Sequence, residues 1–487
     1  MQKVKSIKYN FIMNFILTAS NFIFPLITFP YVSRILLASG NGKIAFVTSV
    51  INYFTMIASL GIPTYGIRAC ARVRDDKDKL SKLVQELLVI HGVMTLITLI
   101  FLVISIFSID KFYAEKELMI INGFGLFLNV LGVNWLYSAL EQYQYITIRS
   151  IFFKLISIIM MFAFVHSQSD YILYGAISVF AAAGSNVLNF INLKKFVSFK
   201  KYDNYNFKQH LKPIMVFFAQ SVAASIYLNL DTVMLGFIKG DTEVGLYSAA
   251  VKMKSILTAL VTSLGAVLLP RLSYYISNGL GDEFNRLIKK AFEFVLLLSV
   301  PITIYFIVMS KESILLLSGD GFLGAVLAMQ IIIPCTIFIG LSNITGIQML
   351  TPLGKEKIVV YSVIAGAVID LLLNVVFIPL YGSAGAAFGT LVAEIAVLAV
   401  QIYYIKHNYS YKLIEKTSII KISIASIMSI IVLILVKNLL NCGVFITLLI
   451  TAIIYFATFY LLCLIVKEPF VYEFVINTVD KIKTLTS

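Results

Sequence analysis

Fourteen continuous apolar stretches, each long enough to cross a bilayer, make up nearly all of the 487-residue chain. Hydrophobic residues are 59% of the total and charged residues only 13%, more apolar surface than a water-soluble fold can bury. In lipid every backbone N–H and C=O group has to be paired within its own segment, so continuous runs of this kind form helices. The sequence therefore predicts an all-α membrane protein with about 14 transmembrane helices.

Basic residues alternate between the two sides of these spans. The predicted spans cover residues 10–32, 43–67, 83–107, 117–138, 148–166, 170–192, 212–237, 243–269, 289–309, 323–349, 357–378, 384–405, 419–437 and 443–466. With the N-terminus inside, 30 of the 39 Lys and Arg residues, Arg149 and Lys154 among them, are assigned to the cytoplasmic side and seven to the outside. The positive-inside rule then places both termini in the cytoplasm. Orientation and anionic headgroups explain the net charge of +14, so nucleic acid is not expected as a partner.

Short motifs recur in the same order in the two halves of the chain. The pairs are Ser59-Leu60-Gly61 with Ser263-Leu264-Gly265, Asn129-x-x-Gly132 with Asn343-x-x-Gly346, and Tyr174-Gly175 with Tyr381-Gly382. Because each copy holds an even number of helices, both copies share one orientation and form a parallel pseudo-two-fold repeat. The predicted domains are an N-lobe (1–192), a cytoplasmic linker loop (193–211), a C-lobe (212–406), and two further helices with a cytoplasmic tail (407–487).

Polar side chains inside the predicted spans are candidate binding residues, because lipid offers them no hydrogen-bonding partner. In the first span the asparagines share one helix face, which predicts either the lining of a wet cavity or a hydrogen-bonded seam between helices. Pro25 and Pro30 are expected to bend the outer half of that helix. The candidates for cavity lining are Asn10, Asn14, Asn21, Gln220, Tyr227 and Ser255.

Four basic residues are candidate contacts for an anion: Arg34, Arg68, Lys252 and Arg271. Lys252 lies deep in its span, where a charge costs about 2.5–3.5 kcal/mol, so it is expected either to face an anion in a watery cavity or to pair with a carboxylate. Arg68 and Arg271 end equivalent helices of the two copies. Positive-inside bias explains them, and a two-sided phosphate clamp is the alternative. The acidic candidates for structural hydrogen bonding, proton sharing or cation binding are Asp231, Asp370 and Glu394.

Motifs for catalysis or metal binding are lacking. The four cysteines are solitary, without a CxxC pair, and the phosphate-binding motif GxxxxGK[ST] does not occur. A polytopic glycosyltransferase or polymerase would need a long outside loop with acidic catalytic residues, and the outside loops are short. The chain is predicted to be no enzyme, to bind no metal, and to need no cofactor beyond an H⁺ or Na⁺ gradient.

Several segments taken together carry a family resemblance. They are Pro30-Tyr31-Val32-Ser33-Arg34 with the glycine pair that follows, residues 60–66, Asn134-Trp135-Leu136-Tyr137 with Glu141, residues 229–236, residues 244–252, Leu269-Pro270-Arg271, and residues 370–374 with Pro379, Gly382 and Gly385-Ala386-Ala387. This set resembles the Wzx-type polysaccharide-biosynthesis flippases of the MATE/MOP transporter superfamily over the first twelve helices. It departs from the family at Trp135-Leu136-Tyr137, where Trp-Leu/Phe-Phe-Gln-Gly is usual.

The resemblance implies a two-lobed transporter whose central cavity opens alternately to each side of the bacterial cytoplasmic membrane. Its substrate would be an undecaprenyl-pyrophosphate-linked oligosaccharide repeat unit, moved to the outer leaflet for O-antigen or capsule synthesis. Arg68 and Arg271 would capture the pyrophosphate, Lys252 would follow it inward and Arg34 would meet it outside. Membrane lipids, a polysaccharide polymerase and a chain-length regulator are the implied partners. The alternative is a cation-coupled drug or metabolite exporter of the same fold.

Overall fold

The computed structural model describes residues 6–409, 416–473 and 475. Throughout these ranges the regular elements are helical and no strand occurs. The helices are α1 (Ile7–Ser59), α2 (Ile62–Val73), α3 (Lys77–Ser108), α4 (Asp110–Ala114), α5 (Lys116–Gly132), α6 (Asn134–Ala139), α7 (Tyr143–Phe164), α8 (Tyr171–Val179), α9 (Asn186–Leu193), α10 (Lys208–Ile238), α11 (Asp241–Ser277), α12 (Gly281–Val308), α13 (Ser310–Ser318), α14 (Ala325–Ile332), α15 (Cys335–Asn343), α16 (Glu356–Tyr381), α17 (Ser383–Asn408), α18 (Lys416–Leu439) and α19 (Val444–Ile465). Short 3₁₀ segments lie at Gln168–Asp170 and Asp320–Phe322, and π-helical segments at Phe180–Gly184 and Ile344–Leu350.

Thirteen helical segments of the described chain are long and apolar enough to cross a membrane. One of them, Tyr9–Val73, is 65 residues long and covers the first two predicted spans. It is interrupted at Leu37, whose φ of 56° and ψ of −174° are not helical. Pro25 and Pro30 both lie inside the helix, and the bend expected at them stays a prediction. The chain is a multi-pass membrane protein.

The predicted side assignments need one correction. Lys154 lies halfway along the 22-residue helix α7, which begins at Tyr143, and Arg149 is buried in the same helix. Both residues lie inside a helix long and apolar enough to cross the membrane, so they should not be counted with the cytoplasmic basic residues. The predicted cytoplasmic termini, and with them Lys3, Lys5, Lys412, Lys481 and Lys483, lie outside the described residues.

The chain divides into two compact units, Met1–Gly245 and Leu246–Ser487, and the division falls within α11. The lobe boundaries proposed from the internal repeat stay predictions. In the first unit α1 packs against α3, α7 and α10, and α10 also contacts α2. A buried apolar core joins α2, α3, α6 and α10 through side chains such as Ile62, Leu87, Leu136 and Ile214.

Close packing at one end of the first unit depends on glycine. A Cβ atom on Gly42 would overlap the carbonyl oxygen of Asp241, so the first turn of α11 can approach α1 only at a residue without a side chain. Beside this contact, Lys111 Nζ lies 2.6 Å from Asp241 Oδ1 and Lys43 Nζ lies 2.6 Å from Glu115 Oε1. Two lysines at this end of the unit are thus paired with carboxylates.

In the second unit the antiparallel helices α16 and α17 pack along their length, and α17 also contacts α14 and α15. A large core surrounds α12 and reaches α18 and α19, with Phe284, Phe292 and Phe459 fully buried. The second unit thus combines a tightly packed bundle with the helix pair α18–α19 that the sequence predicted as an addition.

Candidate functional site

A basic cavity opens at one end of the first unit, where α2, α3 and the start of α10 meet. Its volume is about 480 Å³. We call it the rim cavity; the side chains that define it are Tyr65, Arg68, Arg72, Lys79, Lys82, Glu86, Gln209, His210 and Phe217. Four of them are basic, so this cavity concentrates positive charge where the helices end.

Local helix geometry brings the four basic side chains together. Helix α2 starts after Gly61, which has a φ of 74°, and Arg68 and Arg72 are one turn apart on it. Helix α3 starts at Asp76, whose carboxylate accepts hydrogen bonds from the backbone of Asp78 and Lys79. Its first turns carry Lys79 and Lys82 three residues apart, which puts both on one helix face.

Individual contacts hold two of these cations in place. The Arg68 guanidinium lies 5.7 Å from the centre of the Phe217 ring, a cation–π distance. Lys79 Nζ lies 3.1 Å from Asp76 Oδ2 at the exposed edge of the cavity. The Lys79 backbone N–H and then its ammonium hold the pKa of the Asp76 carboxyl below its usual value of 3.8. Among the described residues, this is the one carboxylate within ion-pair distance of a lysine of the cavity.

The floor of the rim cavity is a buried carboxylate–imidazole pair. Glu86 is 1% exposed and His210 is 2% exposed, and Glu86 Oε2 lies 2.8 Å from His210 Nε2. The Asn206 backbone N–H donates to Glu86 Oε1 at 2.7 Å, and Gln209 Nε2 donates to Glu86 Oε2 at 3.1 Å. On the other side of the ring, His210 Nδ1 lies 2.7 Å from the Tyr65 hydroxyl. This network ties α2 and α3 to the segment that leads into α10.

A second cavity of about 370 Å³ lies inside the helix bundle of the first unit, among α1, α7, α8 and the π-helical segment. We call it the membrane cavity; the polar side chains that line it are Ser20, Asn21, Thr28, Ser150, Lys154, Ser157, Tyr174 and Ser178. Lys154 Nζ donates to Ser20 Oγ at 2.8 Å and to Asn21 Oδ1 at 2.5 Å. Hydroxyl groups and one ammonium therefore make this cavity polar at membrane depth.

The asparagines predicted on α1 lie in three different surroundings. Asn10 is buried, and its Nδ2 donates to Glu141 Oε2 at 3.2 Å, in the turn between α6 and α7. Asn14 is exposed, and Asn21 lines the membrane cavity. Of the three, only Asn21 borders a described cavity, and the choice between a seam and a cavity lining for the whole face stays a prediction.

The predicted anion contacts are spread over both units. Arg34 is exposed on α1 and donates to the Pro30 carbonyl at 2.5 Å, whereas Arg68 lines the rim cavity. In the second unit, Arg271 is exposed and its Nε donates to the Tyr275 hydroxyl at 2.8 Å. Lys252 is half-buried on α11. Ser255, three residues further along, is exposed and donates to the backbone carbonyl of residue 251 at 2.8 Å.

Helix α10 carries three further predicted residues. Gln220 is exposed, Tyr227 is half-buried and Asp231 is buried. Asn229, two residues before Asp231, accepts a hydrogen bond from Asn52 Nδ2 at 3.0 Å. This pairs α10 with α1 close to the position of the acidic side chain.

The remaining acidic candidates lie together on α16 and α17 of the second unit. Asp370 and Glu394 are buried on these neighbouring helices. A Cβ atom on Gly389 would lie 2.5 Å from Asn374 Oδ1 and 2.9 Å from Asp370 Oδ1, so both oxygens face this glycine. The Thr390 hydroxyl beside it is 2.9 Å from the Tyr247 hydroxyl. Across the described residues, no group of three or more His, Cys, Asp or Glu side chains could hold a metal ion.

Sequence reasoning missed Lys154, Glu86 and His210. A usable signal existed for the first two, because both are ionisable residues inside predicted spans, and such residues usually have a polar partner or a role. His210 gave no such signal, since it lies in a polar stretch at the start of α10 and becomes a buried partner only through packing.

Comparisons with known proteins agree with the fold. A family model described as polysaccharide biosynthesis protein matches residues 7–276, and one described as MatE matches residues 217–376. The "Putative O-antigen transporter" of Escherichia coli (strain K12) is 27% identical over 412 residues, which cover 83% of this chain and 97% of that protein.

Two solved structures extend this agreement. The lipid II flippase MurJ in an inward closed conformation superposes with a TM-score of 0.75 at 16% identity, covering 93% of this chain and 98% of that one. An outward-facing multidrug resistance MATE transporter of the MOP superfamily gives 0.56 at 12% identity, covering 81% and 93%. The predicted all-α, MOP-like membrane fold is confirmed. The expectation that the chain is not an enzyme is also confirmed, since these proteins are transporters or flippases.

Proposed function

Because the chain belongs to the polysaccharide biosynthesis protein family, we propose that it is a flippase for a lipid-linked oligosaccharide. Its substrate is an undecaprenyl-pyrophosphate-linked repeat unit, which it moves from the inner to the outer leaflet of a bacterial cytoplasmic membrane. The product serves the synthesis of a surface polysaccharide such as O-antigen or capsule. The names of the relatives support this class of substrate, and the rim cavity is the observation that carries the proposal.

The rim cavity suits a pyrophosphate headgroup because it offers several cations at once. Arg68 and Arg72 can each present a planar fork of N–H donors to phosphate oxygens, and Lys79 and Lys82 add point charges. The arginines are exposed, so a headgroup reaches them without first displacing buried groups. The lipid tail can stay in the bilayer while only the charged headgroup and the sugars need a polar route.

The proposed path also involves the other basic and acidic residues predicted from the sequence. Arg271, like Arg68, contacts the pyrophosphate on the cytoplasmic side, Lys252 receives it deeper in the membrane, and Arg34 contacts it on the outside. Alternating access between the two sides then releases the repeat unit to a polysaccharide polymerase and its chain-length regulator, with both termini of the flippase in the cytoplasm. The residues that couple this movement to an H⁺ or Na⁺ gradient are Asp231, Asp370 and Glu394.

Reconstitution in proteoliposomes tests the proposal directly. The measured quantity is the rate at which an undecaprenyl-pyrophosphate-linked saccharide becomes accessible to an impermeant lectin on the other side of the membrane. Arg68→Ala should slow this rate about 10- to 100-fold, since a hydrogen bond to a charged group contributes about 1.5–3 kcal/mol. Arg271→Ala should act in the same direction.

A matched control is Arg286→Ala, which removes an exposed arginine paired only with Glu283 three residues away on α12. This variant should translocate at the wild-type rate. Equal rates for Arg68→Ala, Arg271→Ala and Arg286→Ala would refute the capture step. If the wild-type chain moved organic cations and left the lipid-linked saccharide where it was, the exporter alternative would replace the proposal.

A further inference from the structure

Lys154 is an ammonium at membrane depth whose partners are all neutral. It lies halfway along α7, and its Nζ contacts Ser20 Oγ, Asn21 Oδ1 and, at 5.5 Å, the centre of the Phe24 ring. Among residues 6–409 and 416–473, no carboxylate lies within ion-pair distance of it. Lys43 and Lys111 in the same unit, by contrast, each lie 2.6 Å from a carboxylate oxygen.

Charge of this kind is costly unless an anion balances it. A lysine at the centre of a membrane helix costs about 2.5–3.5 kcal/mol on insertion scales. Hydroxyl, amide and aromatic groups can orient the ammonium, but they leave its full positive charge in place. An ammonium has three N–H donors, and Ser20 and Asn21 accept from two of them. One donor and one whole charge therefore remain for a ligand in the membrane cavity.

Two serine hydroxyls of the membrane cavity are left mainly as acceptors. Ser157 Oγ donates to the Phe153 carbonyl at 2.8 Å, and Ser178 Oγ donates to the Tyr174 carbonyl at 2.9 Å. Each hydroxyl hydrogen is thus used within its own helix, and the oxygen lone pairs are left to accept bonds. A ligand rich in hydroxyl donors complements such a lining, and sugars are the common ligands of this kind.

We propose that the membrane cavity binds an acidic sugar of the saccharide, with its carboxylate on Lys154 and its hydroxyls on the serine oxygens. This inference rests on the proposed function, because it takes the ligand to be part of the translocated repeat unit. A single ammonium matches the single charge of a uronic acid, whereas pyrophosphate carries more charge and finds four cations in the rim cavity. The cavity volume of about 370 Å³ lies in the usual range of about 300–1,000 Å³ for small-molecule sites.

Binding to the purified full-length chain in lipid nanodiscs tests the inference, with glucuronate, glucose and inorganic pyrophosphate as probes. Wild-type protein should bind glucuronate at least about tenfold more tightly than glucose, a difference of about 1.4 kcal/mol. Lys154→Gln should remove this preference, and Lys154→Arg, which keeps the charge, should retain most of it. The matched control Lys239→Gln changes an exposed lysine at the end of α10 and should bind like the wild type.

Three outcomes would overturn the inference. They are equal affinity of the wild type for glucuronate and glucose, an unchanged glucuronate affinity in Lys154→Gln, and pyrophosphate binding that depends on Lys154 more than glucuronate binding does. If Lys154→Gln does not fold, a loss of the glucuronate preference in Lys154→Arg overturns it as well. Proteoliposome translocation by the wild type is scored separately, so failure of the flippase proposal is distinguishable from failure of the Lys154 site.

Discussion

The rim cavity and the membrane cavity belong to the same compact unit but handle charge differently. Around the rim, exposed cations surround a buried carboxylate–imidazole pair that is hydrogen-bonded on all sides. In the membrane cavity, one ammonium sits among hydroxyls and carries its charge without a carboxylate among the described residues. The first arrangement stabilises the fold and attracts highly charged groups. The second is costly for the fold and is explained by a ligand.

The largest effect is expected for Glu86→Ala at the floor of the rim cavity. Removing a buried acceptor leaves each of its buried hydrogen-bond donors unsatisfied, at a cost of about 1–3 kcal/mol per donor. Here the Asn206 N–H and the His210 ring would both lose their acceptor. Thermal unfolding of the purified protein should show a strongly lowered midpoint. Glu117→Ala, on an exposed residue of α5, is the control and should leave the midpoint nearly unchanged.

An increase in the midpoint of thermal unfolding is expected for Lys154→Met in the membrane cavity. Methionine is unbranched and one atom shorter than lysine, and it removes a charge that costs about 2.5–3.5 kcal/mol in a membrane helix. Two lost interhelical hydrogen bonds offset part of this gain, since such bonds contribute on average only about 0.6 kcal/mol each inside membrane proteins. The unfolding midpoint should therefore rise, by a net gain of roughly 1–2 kcal/mol. A lowered midpoint would mean that Lys154 is a structural residue, and the contrast between the cavities would disappear.

A smaller difference is expected in how strongly salt weakens ligand binding to the two cavities. Between 0.1 and 1 M salt the screening length falls from about 10 Å to about 3 Å, which weakens interactions with exposed charges most. Pyrophosphate affinity should fall by about tenfold or more over this range, and glucuronate affinity by less than about threefold. Isothermal titration of both probes at several salt concentrations measures the two slopes. Equal salt dependence of the two affinities would mean that both ligands bind in equally exposed surroundings, which contradicts the proposed difference between the cavities.

The sequence predicted the helices of both units, but it predicted the chemistry of the cavities only in part. Continuous apolar runs fix membrane helices because the requirement for internal hydrogen bonds acts on each segment alone. The interruption at Leu37 could not be read in this way, since no glycine or proline marks it. The prolines of α1 give no signal for it either, because they lie several residues before Leu37.

The features that the sequence did not predict depend on contacts between residues that are far apart along the chain. Glu86 and His210 are 124 residues apart, and only the packing of α3 against the start of α10 brings them together. Asn21 was selected as a polar residue of a span, whereas its partner Lys154 was only counted among the cytoplasmic basic residues. A charged residue inside a predicted span is thus more useful as a sign of a cavity than as evidence for the orientation of the chain in the membrane.

The smallest effect is expected at the exposed edge of the rim cavity, in Asp76→Asn. Asparagine still caps α3 but no longer pairs with Lys79, so pyrophosphate affinity should rise by less than about threefold, as exposed ion pairs are weak. The pKa of the Asp76 carboxyl is lowered on folding, so its contribution to stability is present above 3.8 and is lost as the pH falls through the lowered value. Asp76→Asn should lack this acid-dependent loss in thermal unfolding. The control Asp75→Asn removes the same charge from the neighbouring exposed residue. If it raised the pyrophosphate affinity equally, the net charge around the rim cavity, and not the Asp76–Lys79 pair, would determine that affinity.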